Sequence, residues 1–234
     1  MTTNNYISRL KREAKRLSKE EQIPHHEALN RIAIRNGYES WNLLVRQNAK
    51  LVNIDGLPDS TNHGDIVLLA GRPHNGKTQQ AIRMLSDAMN KGWQGAFFTL
   101  DYTITDFARV SALAGVDFGI LENRLSFYDS DDICADYITH RLANTTRKTM
   151  IVVDYLQMLD HRRTNAPIGD QLEVLKTFCR GTGAIMIMLS QIDRRFGMSG
   201  KPTPNLADIR QPNPIDLSLF DHMIFSVEGE LIAA

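Results

Sequence analysis

The stretch GRPHNGKT, residues 71–78, sets two glycines, a lysine and a hydroxyl at a spacing suited to phosphate chemistry. Glycines let successive backbone N–H groups curl round phosphate oxygens at the positive end of a helix. The lysine reaches the β- and γ-phosphates, and the hydroxyl ligates Mg2+. On this reading Gly71, Arg72, Pro73, His74, Asn75, Gly76, Lys77, Thr78 and Gln79 form a nucleotide-binding loop. Such a loop calls for an acid on a second strand to hold the Mg2+ water shell, and Asp154, which closes the apolar run Met150–Val153, supplies it. Asp101 ends the run GAFFTLD and Gln191 ends GAIMIMLSQ. Asp101 is a carboxylate that could orient or deprotonate an attacking water. Gln191 is an amide that could hydrogen-bond the γ-phosphate and report its loss to the next loop. The catalytic set is therefore Lys77, Asp101, Asp154 and Gln191, with Thr78 and Asp154 on the metal.

These residues need particular elements beneath them. DIVLLA, Asp65 to Ala70, is a short apolar run of strand type ahead of the loop, and Ala81, Leu85 and Ala88 recur at helical spacing after it. Met150–Val153 is continuously apolar, as in a strand buried on both faces, and Asp154 falls at its carboxyl end, where ligands collect in open α/β sheets. Each later strand run follows a helical segment, which predicts an α/β fold with a mainly parallel sheet flanked by helices.

The chain of 234 residues, 42% hydrophobic and 23% charged, has material for one full core and a small appendage. Lys+Arg and Asp+Glu are each 27, so no global charge marks a nucleic-acid or membrane binder. The charge is uneven: residues 1–50 hold ten basic and five acidic side chains, and the remainder 17 and 22. Cys134 and Cys179 lack the spacing of a disulfide scaffold or zinc site, which fits a reducing cytoplasm. The longest apolar stretch, around Ile185 to Leu189, is too short for a membrane span, and Met1 to Asn5 lack signal-peptide features.

Residues 1–50 read as a basic three-helix module. Tyr6, Leu10, Ala14 and Leu17 mark a helix ending before Pro24; Ala28, Leu29, Ile32 and Ala33 mark a second that stops at Gly37. Ser40 stands at N-cap position ahead of Trp41, Leu43, Leu44 and Val45, a third short helix. His25 and His26 lack ligand partners at metal spacing. Residues 51–64, rich in Gly, Pro, Asp, Asn and Ser, read as a linker, and 65–234 as the nucleotide-binding domain.

The larger part resembles the RecA-fold ATPase domain of DnaB-type replicative helicases. LLAGRPHNGKTQQA is similar to that family's phosphate loop, FFTLDYTITDFARVSALAGVDFGIL to its next strand and helices, and IVVDYLQML to its Mg2+-aspartate strand. LSQIDRR is similar to its sensor strand, and KPTPNLADIRQPNPIDLSLFDHMIF to its later DNA-facing loop and last shared strand. The resemblance, from about Leu57 to Glu230, implies a RecA-like P-loop ATPase using ATP and Mg2+, and a DNA helicase or helicase-related function. It places Arg210 and Gln211 near a single-stranded DNA backbone in the central channel of a hexamer-like homo-oligomeric ring. A replication or mobile-element protein is the further partner it implies.

Three departures accompany the likeness. Asp101 stands where the family has a glutamate. After Arg210 the family's Glu-Ser-Gly is replaced by Gln211, Pro212, Asn213 and Pro214, a stiffer loop. The sequence ends at Ala234, ahead of the family's segment that reaches a neighbouring subunit's γ-phosphate, and the small basic module stands in place of the family's N-terminal domain. The expectation is a reduced relative, for which ring-driven unwinding does not follow automatically.

Arg162 and Arg163 after Asp154, and Arg194, Arg195 and Lys201 after Gln191, would leave the carboxyl edge of the sheet. Asp160 and Asp193 are the nearby acids and Phe196 the one aromatic, so DNA contact there would be mainly with phosphates and salt-dependent. The acidic run Asp129–Asp132 reads as a cap for a helix over 133–142 rather than a metal site. Two alternatives stand beside the ATPase. One is an ATP-gated DNA- or protein-binding regulatory module without unwinding activity; the other, a nucleoside or nucleotide kinase, is weaker because no Arg-rich lid lies between the strands.

Overall fold

The computed structural model describes residues 3–42, 44, 52, 54–121, 123–145, 148–198, 201, 203–211, 213 and 215–233. The chain forms two compact units, one of residues 1–53 with 59–62, the other of 54–58 with 63–234.

In the first unit, α1 (Thr3–Glu20) and α2 (His25–Arg35) bury Leu10, Ala14 and Leu17 against Ala28, Ile32, Ala33 and Leu44. Pro24 precedes α2, where its fixed φ and missing donor are tolerated. Asn36 closes that helix by donating from Nδ2 to the Ile32 carbonyl at 2.8 Å. Trp41, Asn42 and Leu44 are helical, while Leu43 and Val45 of the expected third helix lie outside the described residues.

The second unit is a seven-stranded sheet in the order β3-β2-β4-β5-β1-β6-β7. Its strands are β1 (Ile66–Gly71), β2 (Gln94–Thr99), β3 (Leu125–Tyr128), β4 (Thr149–Asp154), β5 (Ile185–Gln191), β6 (His222–Val227) and β7 (Glu230–Ala233). All pair in parallel except β6 with β7. The central strands β1 and β4 are buried at every position, as continuous apolar runs require when helices cover both faces.

Between the strands run α3 (Lys77–Asn90), α4 (Ile104–Leu113), α5 (Phe118–Leu121), α6 (Ala135–Arg141) and α7 (Ile168–Thr182). Helix α3 buries Ala81, Ile82, Leu85 and Ala88. Helix α4 begins with a capping box between Thr103 and Asp106, and α7 ends at Gly183, whose φ of 75° suits glycine. Register matters for function: Gly71 lies opposite Gln191, and Thr99 opposite Asp154. Four strand ends therefore meet at one edge.

Helix α6 corrects one expectation. It starts at Ala135 behind Cys134, which makes no side-chain cap. The Ala135 N–H is instead satisfied by the buried Gln171 Oε1 at 2.9 Å, so the acids at 129–132 do not cap it. Asp132 pairs with Arg162. Both cysteines are free, and no helix among the described residues is long and apolar enough to cross a membrane.

Candidate nucleotide-binding site

The loop after β1 is built by close approach. A Cβ on Gly71 would stand 2.9 Å from the Ser226 carbonyl oxygen and 3.0 Å from Lys77 Cγ, so only glycine lets β6 and the lysine stem approach this closely. Gly76 precedes α3 with φ 77°, and His74 also has positive φ, 62°. Ser226 Oγ donates to the Asn75 carbonyl at 2.8 Å, fastening the loop to β6. Lys77 Nζ donates to the Arg72 carbonyl at 2.9 Å and so spans the loop. Burial lowers the Lys77 pKa, while the Asp154 charge works against that shift.

Asp154 is 6% exposed at the end of β4, and Thr78 Oγ1 donates to its Oδ2 at 2.8 Å. Burial pushes its carboxyl up to about 6. The Asp101 charge adds to the rise, and the Thr78 hydrogen bond and Lys77 charge oppose it. Asp101 lies two residues beyond β2, in a turn where its N–H donates to Thr99 Oγ1 at 3.0 Å. Burial raises its pKa as well. The peptide joining Asp154 to Tyr155 is cis.

A cleft of about 440 Å³ gathers Lys77, Thr78, Asp101, Asp154 and Gln191 with Pro73, His74, Gly76 and Gln79 of the loop. Tyr102, Val110 and Tyr155 also line it. Sequence reasoning missed these three; Tyr102 and Tyr155 could have been found as direct neighbours of Asp101 and Asp154, whereas Val110 carries no local signal.

The expected DNA-facing residues are placed unequally. Arg210 Nη1 donates to Gln191 Oε1, and an antiparallel bridge joins Ile192 to Ile209. Gln211 Oε1 accepts the Ile215 N–H at 3.3 Å; Pro212 and Pro214 lie outside the described residues. Arg162 pairs with Asp132, Arg195 with Asp193 at 3.1 Å, and Lys201 with Asp208 at 3.3 Å. Asp132 and Asp208 thus join Asp160 and Asp193 as acids in these loops. Arg163 and Arg194 are exposed and without an ion pair among the described residues. Phe196 is buried in the core cluster and offers no face to a base, a second correction.

Comparison with known proteins adds to this geometry. Residues 120–225 match the family model described as the DnaB-like helicase C terminal domain. The larger unit has a RecA-like fold, and the matched stretch is similar to that domain. The chain is 24% identical over 219 residues to the replicative DNA helicase DnaB of Mycoplasma pneumoniae, covering 76% of this chain and 46% of that protein. It is 26% identical over 214 residues to that of Treponema pallidum, covering 78% and 48%. The chain spans about half the length of the curated relatives it matches. Among solved structures, one described as an ATPase domain matches with TM-score 0.56 at 21% identity, over 70% of this chain and 69% of that one. A DnaB-like replicative helicase, described with its interactions with primase, matches with TM-score 0.59 at 17% identity, over 95% and 66%. A KaiC-like protein from Pyrococcus horikoshii matches with TM-score 0.55 at 22% identity, over 74% and 79%. The chain therefore shares its fold with ATPase and helicase structures.

Proposed function

We propose that this chain is a DnaB-like ATPase that binds ATP with Mg2+ and couples hydrolysis to a single-stranded DNA contact at the carboxyl edge of its sheet. The observation that carries this reading is the 2.8 Å hydrogen bond between Thr78 and Asp154, 76 positions apart, in a cleft shared with Lys77 and Asp101.

One hydroxyl and one carboxylate, with water completing the shell, suit Mg2+, which prefers oxygen ligands. Asp154 is buried with its charge disfavoured, and a cation there would compensate. Bound with the nucleotide, Mg2+ would neutralise charge on the phosphate oxygens. Lys77 would exchange the Arg72 carbonyl for phosphate oxygens. Asp101, whose raised pKa makes it a stronger base than an exposed carboxylate, would orient the attacking water and take its proton. Gln191 would read the γ-phosphate and pass its loss to Arg210. Arg162, Arg195 and Lys201 would act by exchanging their acidic partners for phosphates, and the exposed Arg163 and Arg194 by meeting phosphates directly.

A hexamer-like ring and a replication partner of the primase class belong to the same reading. The test is anisotropy of a labelled single-stranded oligonucleotide, with and without a non-hydrolysable ATP analogue and Mg2+. Tighter binding with nucleotide, lost in Lys77→Ala, is expected. Binding that ignores the nucleotide, or no binding at all, would overturn the coupling.

A further inference from the structure

Helix α1 carries a charge pattern that the nucleotide cleft does not use. Its Leu10, Ala14 and Leu17 are buried against the second helix. At about 100° per residue, Lys11, Arg12, Lys15, Arg16 and Lys19 fall within an arc of about 140° on the opposite side, and all five are exposed. Lys11, Arg12, Lys15 and Lys19 have no ion-pair partner among the described residues. Arg16 meets only Glu20, at 3.6 Å, with both side chains more than half exposed, an arrangement that neutralises little. The contrast with the sheet-edge loops is direct, since Arg162, Arg195 and Lys201 there each hold a carboxylate.

We propose that the exposed face of α1 is a docking surface for the phosphate backbone of duplex DNA, independent of the nucleotide cleft. Lys11, Lys15 and Lys19 stand four residues apart, so a rigid helix sets them at intervals of about 6 Å. A fixed row of cations suits the regular, closely spaced phosphates of a duplex. A single strand is bound largely through bases stacked on aromatic rings, and Tyr38 and Trp41 in this unit pack against its core. An anionic membrane would require the apolar face of the helix, and that face is already buried.

The test measures the affinity of the full chain for a short labelled duplex, without nucleotide, over a range of salt concentrations. The variant carries Lys11→Gln, Lys15→Gln and Lys19→Gln together. Glutamine keeps helix propensity, and circular dichroism checks that the helix remains. At about 0.9 per phosphate contact, the slope of log affinity against log salt should fall by about 2 to 3. The matching triple arginine variant should keep the wild-type slope, and Lys77→Ala should bind duplex as wild type does. Wild-type affinity and slope in the glutamine variant would overturn the proposal. Equal loss in the arginine variant, tighter binding of a single strand through the same lysines, or binding to anionic vesicles without duplex binding would also overturn it.

Discussion

Arg210 holds Gln191 twice: its Nη1 donates to the Gln191 Oε1 at 3.1 Å, and its backbone N–H donates to the Gln191 carbonyl at 2.8 Å. Gln157, three residues beyond Asp154, donates from Nε2 to the Arg210 carbonyl at 3.0 Å and to Ser190 Oγ at 3.3 Å. The residue proposed to sense the γ-phosphate and the residue proposed to meet DNA are thus direct partners. A change in what the Gln191 amide binds reaches Arg210 with no residue in between.

Arg210→Ala should separate the two activities. Hydrolysis without DNA should stay within about twofold, while its stimulation by single-stranded DNA should fall about tenfold, the equivalent of one charged hydrogen bond. Rates with and without DNA check this; stimulation that survives in the variant would place the link elsewhere.

Asp101→Asn should lower the hydrolysis rate by about 10² to 10⁴, the usual contribution of a positioned general base, with nucleotide affinity changed by less than about threefold. Asp101→Glu keeps the carboxylate and should retain measurable turnover. Single-turnover rates paired with nucleotide titration separate a loss of chemistry from a loss of binding.

Asp154 predicts a pH dependence with a defined sign. Its carboxyl is pushed above the ordinary value to about 6, mainly by burial. In the folded protein without Mg2+ it therefore holds its proton at low pH, and the cost of ionising it appears as pH rises through about 6. Asp154→Asn should stabilise the metal-free protein at about pH 8 by on the order of 2–3 kcal/mol, and make no difference near pH 4. Thermal melts at both pH values check this; an equal effect at both would rule out the buried charge as its source. Mg2+-nucleotide affinity of the wild type should weaken below about pH 6, where the ligand must first lose a proton.

The parts legible in the sequence were those with strong local signals. Val67–Ala70, Ile151–Val153 and Met186–Leu189 are apolar without interruption, because each strand is buried on both faces, and polar residues at their ends marked the cleft. The edge strands carry no such signal. Leu125–Tyr128 is only half-buried and is interrupted by Ser126, and Glu230–Ala233 pairs on one side alone and carries only the short run Leu231–Ala233. The pairing of Arg162 was equally hidden, since it lies 30 positions from Asp132 and only the fold brings the two together. Phe196 reads as available in sequence, yet it is drawn into the core.

Gln171 is another side chain whose role only the packing shows. It is 3% exposed. Its Oε1 accepts the Ala135 N–H at 2.9 Å, and its Nε2 donates to the carbonyls of Leu159 at 2.8 Å and Ala166 at 2.7 Å. It thus ties the start of α6 to the turn beyond Asp154. Gln171→Leu strands the Ala135 N–H and the Ala166 carbonyl, while the Leu159 carbonyl keeps its bond from Asn165 Nδ2; the change should cost about 2–4 kcal/mol, lowering the melting temperature by roughly 5–15 °C. A melt within about 2 °C of wild type would show that water replaces these bonds.

Steady-state ATP hydrolysis, measured with and without single-stranded DNA on the wild type and Lys77→Ala, tests the central claim most directly. DNA-stimulated turnover in the wild type that vanishes in Lys77→Ala is the expected result. Nucleotide binding with no turnover under either condition would contradict it, and would make the Thr78–Asp154 cleft a switch rather than a motor.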